Sequence, residues 1–375
     1  MNTVSFYFAK DYDPLLLKEI VEKIIADHGG YQRLFAKGKK VVIKPNLVMK
    51  KKPEGGATTH PALLEAVLLC LLPHTRDITV AECSGGLNTE ALMKGVYRET
   101  GIEEVCQKHG IPIHYQMNAA EVFPPEPISC RKLEVLDIFT TADVFINLAK
   151  MKTHSLTTVT GAAKNLYGVI PGLRKVEHHA NNPKVDDFAK LICDINKALP
   201  PTLSIVDGIL GMEKDGPTGG APKWAYGLLG GVNPYAIDEA MCRFMGIDSK
   251  LSPIQECAKK HGLFDGEYNL TGDSMEDHLP TPFILPDSQK PNLLRDFLGM
   301  YNGKLSRFLA PKPKIKKSLC IGCGECARLC PKKTITVKNG KAKIHHKNCI
   351  RCWCCQEMCP KKAVLTHSNP IMKLT

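Results

Sequence analysis

The chain has 375 residues, 43% apolar, 23% charged and 6% aromatic, with a formal charge of +12. That length predicts two or three domains with a sizeable buried core, which excludes a disordered tail protein and a disulfide-stapled miniprotein. No apolar run approaches the roughly 20 residues that span a bilayer, and residues 1–8 lack the basic region and cleavage site of a secretory signal, so the sequence reads as soluble and cytoplasmic.

Residues 4–8 predict a strand. Asp13-Pro14 caps a helix whose apolar residues Leu16, Leu17, Ile20, Val21, Ile24 and Ile25 share one face up to Gly29-Gly30. Residues 41–43 predict a short buried strand ending in Lys44-Pro-Asn46, and Thr59-His60-Pro61 opens the next helix. A strand over 78–81 runs into Glu82, and Thr100-x-x-Glu103 predicts a capping box for a helix stopping at Gly110, before a strand over 111–115. Residues 144–148 predict a strand leading to the polar segment Lys150-Met-Lys152-Thr-His154. Residues 203–206 run into Asp207, and 227–231 lead to Asn233-Pro and a helix beginning near Asp238.

Strand, polar loop and helix in repetition predict an α/β fold, a mostly parallel sheet with helices on both faces. Ligands of such sheets bind at the carboxyl ends of the strands. Lys44, Asn46, Glu82, Lys152, His154, Asp207 and Asp238 are therefore expected to converge on one cleft. No G-x-G-x-x-G follows the early strands and no Walker A sequence occurs, which disfavours a standard nucleotide site. Thr160-Gly161 at a helix start would aim backbone amides at an anion, with Lys164 one turn on and Asn165 beside it. A small carboxylate or phosphate suits this segment; an exposed polar loop is the alternative.

Prolines and lysines over 286–291 and 311–317 read as a linker around one short helix at about 293–308. The expected division is a large domain over 1–290, a linker over 291–313 and a small domain over 314–375. From Lys304 onward, 17 Lys and Arg face two acids, whereas the preceding residues carry 33 basic and 36 acidic side chains. Nine of the sixteen cysteines lie between Cys320 and Cys359. They form Cys320-x2-Cys323-x2-Cys326-x3-Cys330-Pro and Cys349-x2-Cys352-x2-Cys355-x3-Cys359-Pro, the bacterial ferredoxin spacing twice over. Three closely spaced thiolates wrap one cubane and the fourth, beside proline, reaches the other. One cluster would take Cys320, Cys323, Cys326 and Cys359, the other Cys349, Cys352, Cys355 and Cys330. Zinc also accepts four thiolates, but zinc ribbons offer paired Cys-x2-Cys knuckles instead. Cys354 is left over beside the second set.

This end resembles the dicluster ferredoxin family, which implies two 4Fe–4S clusters, one-electron transfer and a pseudo-twofold β-α-β fold. Its lysines read first as a solvated surface offsetting cluster charge, then as a docking face for an acidic ferredoxin-like or flavodoxin-like carrier. Nucleic-acid binding ranks last, because Trp353 stands almost alone among the basic residues.

The large domain resembles the domain of unknown function 362 family, whose members often carry an appended ferredoxin segment. The resemblance covers about 41–246 and rests on Val41-Val-Ile-Lys-Pro-Asn46, Ile146-Asn-Leu-Ala-Lys-Met-Lys-Thr-His154, Thr160-Gly-Ala-Ala-Lys-Asn-Leu-Tyr-Gly168, Asp207-Gly208 and Asn233-Pro-Tyr-Ala-Ile-Asp238. A more distant resemblance is to nickel-pincer lactate racemases, through His154, Thr160-Gly-Ala-Ala-Lys164, Pro171-Gly172 and His178-His179. It implies that Lys164 holds a cofactor, His154 moves a proton or hydride and one of His178 and His179 binds metal. Thr-Gly-Ala-Ala stands where that family has Ser-Gly-Gly, so its cofactor is not carried over.

The expected function is an iron–sulfur oxidoreductase of an anaerobe's cytoplasm. Electrons from an acidic carrier would reach an anionic substrate, or a further unidentified cofactor, in the large-domain cleft. Lys44, Lys152 and Lys164 would hold the anion and His154 would supply a proton. The alternatives are a non-catalytic electron-transfer adaptor and a racemase-like isomerase with structural clusters.

Overall fold

In a computed structural model describing residues 1–86, 88–290 and 310–368, the large domain is organised by one nine-stranded sheet. Strand β1 (Asn2–Phe8) leads to α1 (Pro14–Asp27) and α2 (Gly30–Leu34), β2 (Val41–Lys44) to α3 (Pro61–Leu71), and β3 (Ile78–Ala81) to α4 (Glu90–Glu99) and α5 (Ile102–His109). After β4 (Ile113–His114) comes a small ribbon of β5 (Ala119–Val122) and β6 (Leu133–Leu136), then α6 (Asp137–Thr140). Strand β7 (Val144–His154) turns back through β8 (Thr158–Thr160) into α7 (Ala162–Asn165), α8 (Arg174–Asn181) and α9 (Val185–Ala198). Then follow β9 (Leu203–Glu213), β10 (Ala221–Gly231), α10 (Pro234–Met245), α11 (Pro253–Lys260) and β11 (Tyr268–Gly272).

The strand order is β11-β1-β10-β9-β7-β2-β3-β4, with β8 on β7. Pairing is parallel from β9 through β7, β2 and β3 to β4, and antiparallel around β10. Side chains alternate across a strand, and this alternation divides the core. Val41, Ile43, Val144, Ile146 and Leu148 face the apolar residues of α1, α3, α4 and α5. Val42, Phe145 and Ala149 face those of α7, α9, α10 and α11. The expected α/β sheet with helices on both faces is the observed one.

Local chemistry differs from expectation in several places. Asp13 caps α1, accepting from the amides of Leu15 and Leu16. Thr100 does not cap α5: Gly101 is the N-cap, and the Thr100 hydroxyl donates back to the carbonyls of Val96 and Tyr97. Helix α10 starts at Pro234, capped by Asn233, rather than near Asp238. Strand β7 does not stop before Lys150; it stays extended and buried through His154 because β8 pairs with its end.

The C-terminal unit runs β12 (Lys312–Ile315), α12 (Glu325–Arg328), β13 (Ile335–Lys338), β14 (Lys341–Ile344), α13 (Cys354–Glu357) and β15 (Val364–His367). Two strand-helix-strand halves interlock, β12 pairing with β15 and β13 with β14. The proline- and lysine-rich start of this unit, read as linker, is already strand from Lys312. The helix expected at about 293–308 lies outside the described residues.

The unit seats on the strand-end face of the large domain. Ser155 Oγ donates to Gln356 Oε1 at 2.8 Å, Thr218 Oγ1 to the Glu357 carbonyl at 2.6 Å, and Lys362 Nζ to the Gly220 carbonyl at 3.3 Å. Met358 lies so close over Gly85 that a Cβ there would run into its sulfur.

Leu148, fully buried on the central strand β7, is expected to be among the costlier core truncations. Leu148→Ala should lose about 2–5 kcal/mol, read as a lowered denaturant midpoint in unfolding followed without air.

Candidate functional site

The carboxyl ends of β2, β3, β7 and β9 carry charge into the interior. Lys44, the last residue of β2, pairs with Glu82 just beyond β3 at 2.6 Å. Lys150 on β7 stands directly opposite Asp207 on β9 and pairs with it at 2.7 Å, and Tyr12 Oη also donates to Asp207 at 2.7 Å. Lys152, fully buried, has no carboxylate partner among the described residues; it donates to Asn46 Oδ1 at 2.7 Å and the Ala57 carbonyl at 2.8 Å. Asn46 donates in turn to Asn165, and Asn165 to Asn147, which also reaches Ser204 Oγ. This chain of amides satisfies buried polar atoms that would otherwise cost 1–3 kcal/mol each.

Above this floor is a cavity of about 110 Å³. Lys44, Asn46, Glu82, Lys152, Thr160, Lys164 and Asn165 line it, so seven of the residues read from the sequence meet there. Lys175, Tyr167 and His179 were not among those chosen as substrate-binding residues and line it too. The opposite wall comes from the C-terminal unit: Leu329, Cys354, Glu357 and Met358. Lys175 and His179 sit four apart on α8 and are both buried, a helical spacing visible in the sequence. Glu357 carried no such signal, because its segment was read as cluster-binding only.

Three expected members are elsewhere. Asp207 is spent behind the floor on Lys150, Tyr12 and the His60 amide. Asp238 accepts from the amides of Ala162 and Ala163 at 2.6 and 3.0 Å, and a Cβ at Gly161 would strike its carboxylate. The helix start expected to receive an external anion is thus filled by the chain's own Asp238. His154 is fully buried behind Glu357, with Nε2 3.2 Å from Glu357 Oε1 but without hydrogen-bond geometry. Its Nδ1 accepts from the amides of Leu156 and Thr157, at 3.0 and 3.3 Å, which assigns the ring proton to Nε2. Burial, then Lys164, push His154 down to about 4, so at neutral pH it stands beside Glu357 as a neutral ring and has no spare proton to give.

Burial lowers Lys152, and the charges of Lys164 and Lys150 lower it further. Burial likewise lowers Lys164 and Lys175. Burial pushes Glu357 up, but His154 and Lys164 outweigh it and hold it at about 2. His179 stacks on Phe188 at 4.5 Å, edge-on to Tyr167, and burial lowers it to about 4. Among the described residues no group of three His, Cys, Asp or Glu side chains is placed to hold a single metal ion.

The cysteines fit a larger group. Cys320, Cys323, Cys326 and Cys359 line one small cavity; Cys330, Cys349, Cys352 and Cys355 line another. These are the two sets that the spacing assigns. Backbone amides of Ala342, Ala363 and Thr334 point at the sulfurs of Cys320, Cys359 and Cys330, at 3.4, 3.1 and 3.3 Å, where they would donate to thiolates that ligate iron. Cys354 lines the lysine-lined cavity and neither of the two small ones, and its thiol also donates to the Cys352 carbonyl at 3.9 Å.

Residues 41–243, more than half of the chain, match the family described as Domain of unknown function (DUF362). The chain belongs to that family. Residues 312–360 of this DUF362 protein match a 4Fe-4S dicluster domain, which gives it an iron–sulfur redox role. A thylakoid-associated protein of Synechocystis sp. is 26% identical over 274 residues, covering 72% of this chain and 83% of that relative. The apoprotein of a lactate racemase from Thermoanaerobacterium thermosaccharolyticum overlaps 65% of this chain and 57% of its own at 13% identity and a TM-score of 0.40, too distant for anything to be carried over. Among the described residues no helix is long and apolar enough to cross a membrane.

The buried imidazoles set a pH dependence. Below about 6.5 the unfolded chain protonates His154 and His179, whereas the folded chain does so only below about 4. Stability should therefore fall as pH drops through that window, by up to about 1.4 kcal/mol per pH unit for each ring, with no slope from either above about pH 7. Denaturant unfolding without air at about pH 7, 6 and 5 reads the slope, and His179→Phe should remove close to one ring's share.

Proposed function

We propose that this DUF362 protein is an iron–sulfur oxidoreductase whose reaction takes place on an anionic small molecule in the shared cavity. The observation that carries the reading is the composition of one wall: α13 supplies Cys355 to a cluster set and Cys354 and Glu357 to the lysine-lined cavity. Two 4Fe–4S clusters, held by Cys320, Cys323, Cys326 and Cys359 and by Cys349, Cys352, Cys355 and Cys330, would supply one-electron transfer there. Lysines hold the anion in the cavity. The Lys164 ammonium, made more acidic by burial, is the group placed to give a proton; Lys152 orients the substrate, and His154 packs behind Glu357. A cavity of about 110 Å³ suits a small molecule better than an extended organic cofactor.

The docking face for an acidic carrier would lie at the first cysteine run. There Cys323 is exposed, with Leu319 and Ile321 half-exposed beside it and Lys316, Lys317 and Lys361 around them. Unlike charges accelerate such encounters and salt weakens the effect.

Anaerobic purification followed by iron and sulfide assay should find about eight of each per chain, with coupled reduced-cluster EPR signals after dithionite. Zinc in their place would overturn the reading. Cys349→Ser should lose about half the iron and the coupling. Reversing Lys316 and Lys317 to Glu should slow reduction by an acidic flavodoxin about tenfold at low salt and less at high salt, in stopped-flow traces.

A further inference from the structure

The cavity wall carries four ammonium groups, Lys44, Lys152, Lys164 and Lys175, against two carboxylates, Glu82 and Glu357. An ammonium has three N–H donors, and their use differs among the four. Lys44 spends all three, on Glu82 at 2.6 Å and on the Pro45 carbonyl and Asn165 Oδ1 at 3.2 Å each. It is therefore a structural cation and not a substrate ligand. Lys152 spends two, on Asn46 and the Ala57 carbonyl. Lys175 spends two, on the carbonyls of Cys83 and Ser84. Lys164 makes no hydrogen bond and no ion pair among the described residues, and its half-buried side chain borders the cavity.

Once Lys44 and Glu82 cancel, Lys152, Lys164 and Lys175 face the single carboxylate of Glu357. Up to two positive charges then remain uncompensated by the wall, and counter-charge in the cavity would stabilise the ammonium forms that burial disfavours. Apolar Leu47, Val48, Tyr167, Leu329 and Met358 also line the cavity.

Building on the reading of this cavity as the substrate site, we infer that its ligand is a small organic dianion. Lys164 and the free N–H groups of Lys152 and Lys175 together meet its two acidic groups. Lys175 is thereby assigned as a binding residue. Dicarboxylates and phosphomonoesters share this chemistry, and a monoanion leaves one charge unmet.

The test is calorimetric titration, without air and at about pH 8, of the full-length, cluster-loaded protein with succinate, methyl phosphate, butyrate and succinamide. One of the two dianions should bind at least about tenfold more tightly than butyrate, and which one does so identifies the acidic group. Lys175→Met and Lys164→Met should each cut dianion affinity about tenfold and leave butyrate within about threefold, and Glu357→Gln should strengthen the dianion. Unchanged iron content and thermal midpoint in each variant confirm that the fold is intact. Butyrate binding as tightly as both dianions, with each weakened by Lys164→Met, would overturn the dianion and leave the anion site standing. No binding by any of the four probes to iron-replete protein would overturn both.

Discussion

Buried ammonium groups are the constraint around which this fold is arranged. Removing an unpaired charge from water is among the most expensive things a protein interior can do, yet three lysines on adjacent strand ends, Lys44, Lys150 and Lys152, are almost fully shielded. Each is stabilised differently: Lys44 by Glu82, Lys150 by Asp207 across the β7–β9 ladder, Lys152 by a side-chain amide and a carbonyl alone. Those partners must arrive at fixed heights along neighbouring strands. A one-residue slip of β7 would turn Lys150 and Lys152 to the opposite face. The parallel register of β2, β7 and β9 and the placement of the cations are thus one requirement.

The second organising fact is that one short helix serves two environments. Along α13 successive residues point about 100° apart, so neighbours in sequence can face different neighbours in space. Cys355 joins the thiols of the second set, Cys354 and Glu357 enter the large-domain cavity, and Gln356 receives the hydroxyl of Ser155. The C-terminal unit is accordingly part of the wall and not an appendage on a tether. The large domain reaches back through His154, whose imidazole stands against the helix's own carboxylate.

Much of this was legible in sequence because it rests on periodicity and spacing. Two runs of four cysteines separate into two cavities by the same partition that the spacing implies, and Lys44, Glu82 and Lys152 lie near one another because parallel strands end on one edge. What failed was anything decided by a long-range partner. Asp238 is remote in sequence from the amides it caps at Ala162 and Ala163, and no local pattern says that the position is already filled. Asp207 is taken by its cross-strand neighbour. His154 reads as a free imidazole until the turn amides of Leu156 and Thr157 are seen to occupy Nδ1. Thr100 matched a capping box, but the preceding helix claimed its hydroxyl. Glu357 escaped notice because a residue amid cluster cysteines was not read as a wall of another domain's cavity.

The contact of Met358 with Gly85 has a consequence for how the molecule could fail. A Cβ at position 85 would meet the Met358 sulfur first, with the Val48 carbonyl beyond it. A larger residue would push the Met358 thioether aside and reshape the cavity wall while leaving all eight assigned thiols with their own neighbours. Such a lesion would be invisible to an iron count or a spectrum. It would show itself only as a cavity of altered shape, a mechanical fault located on a loop with no chemistry of its own.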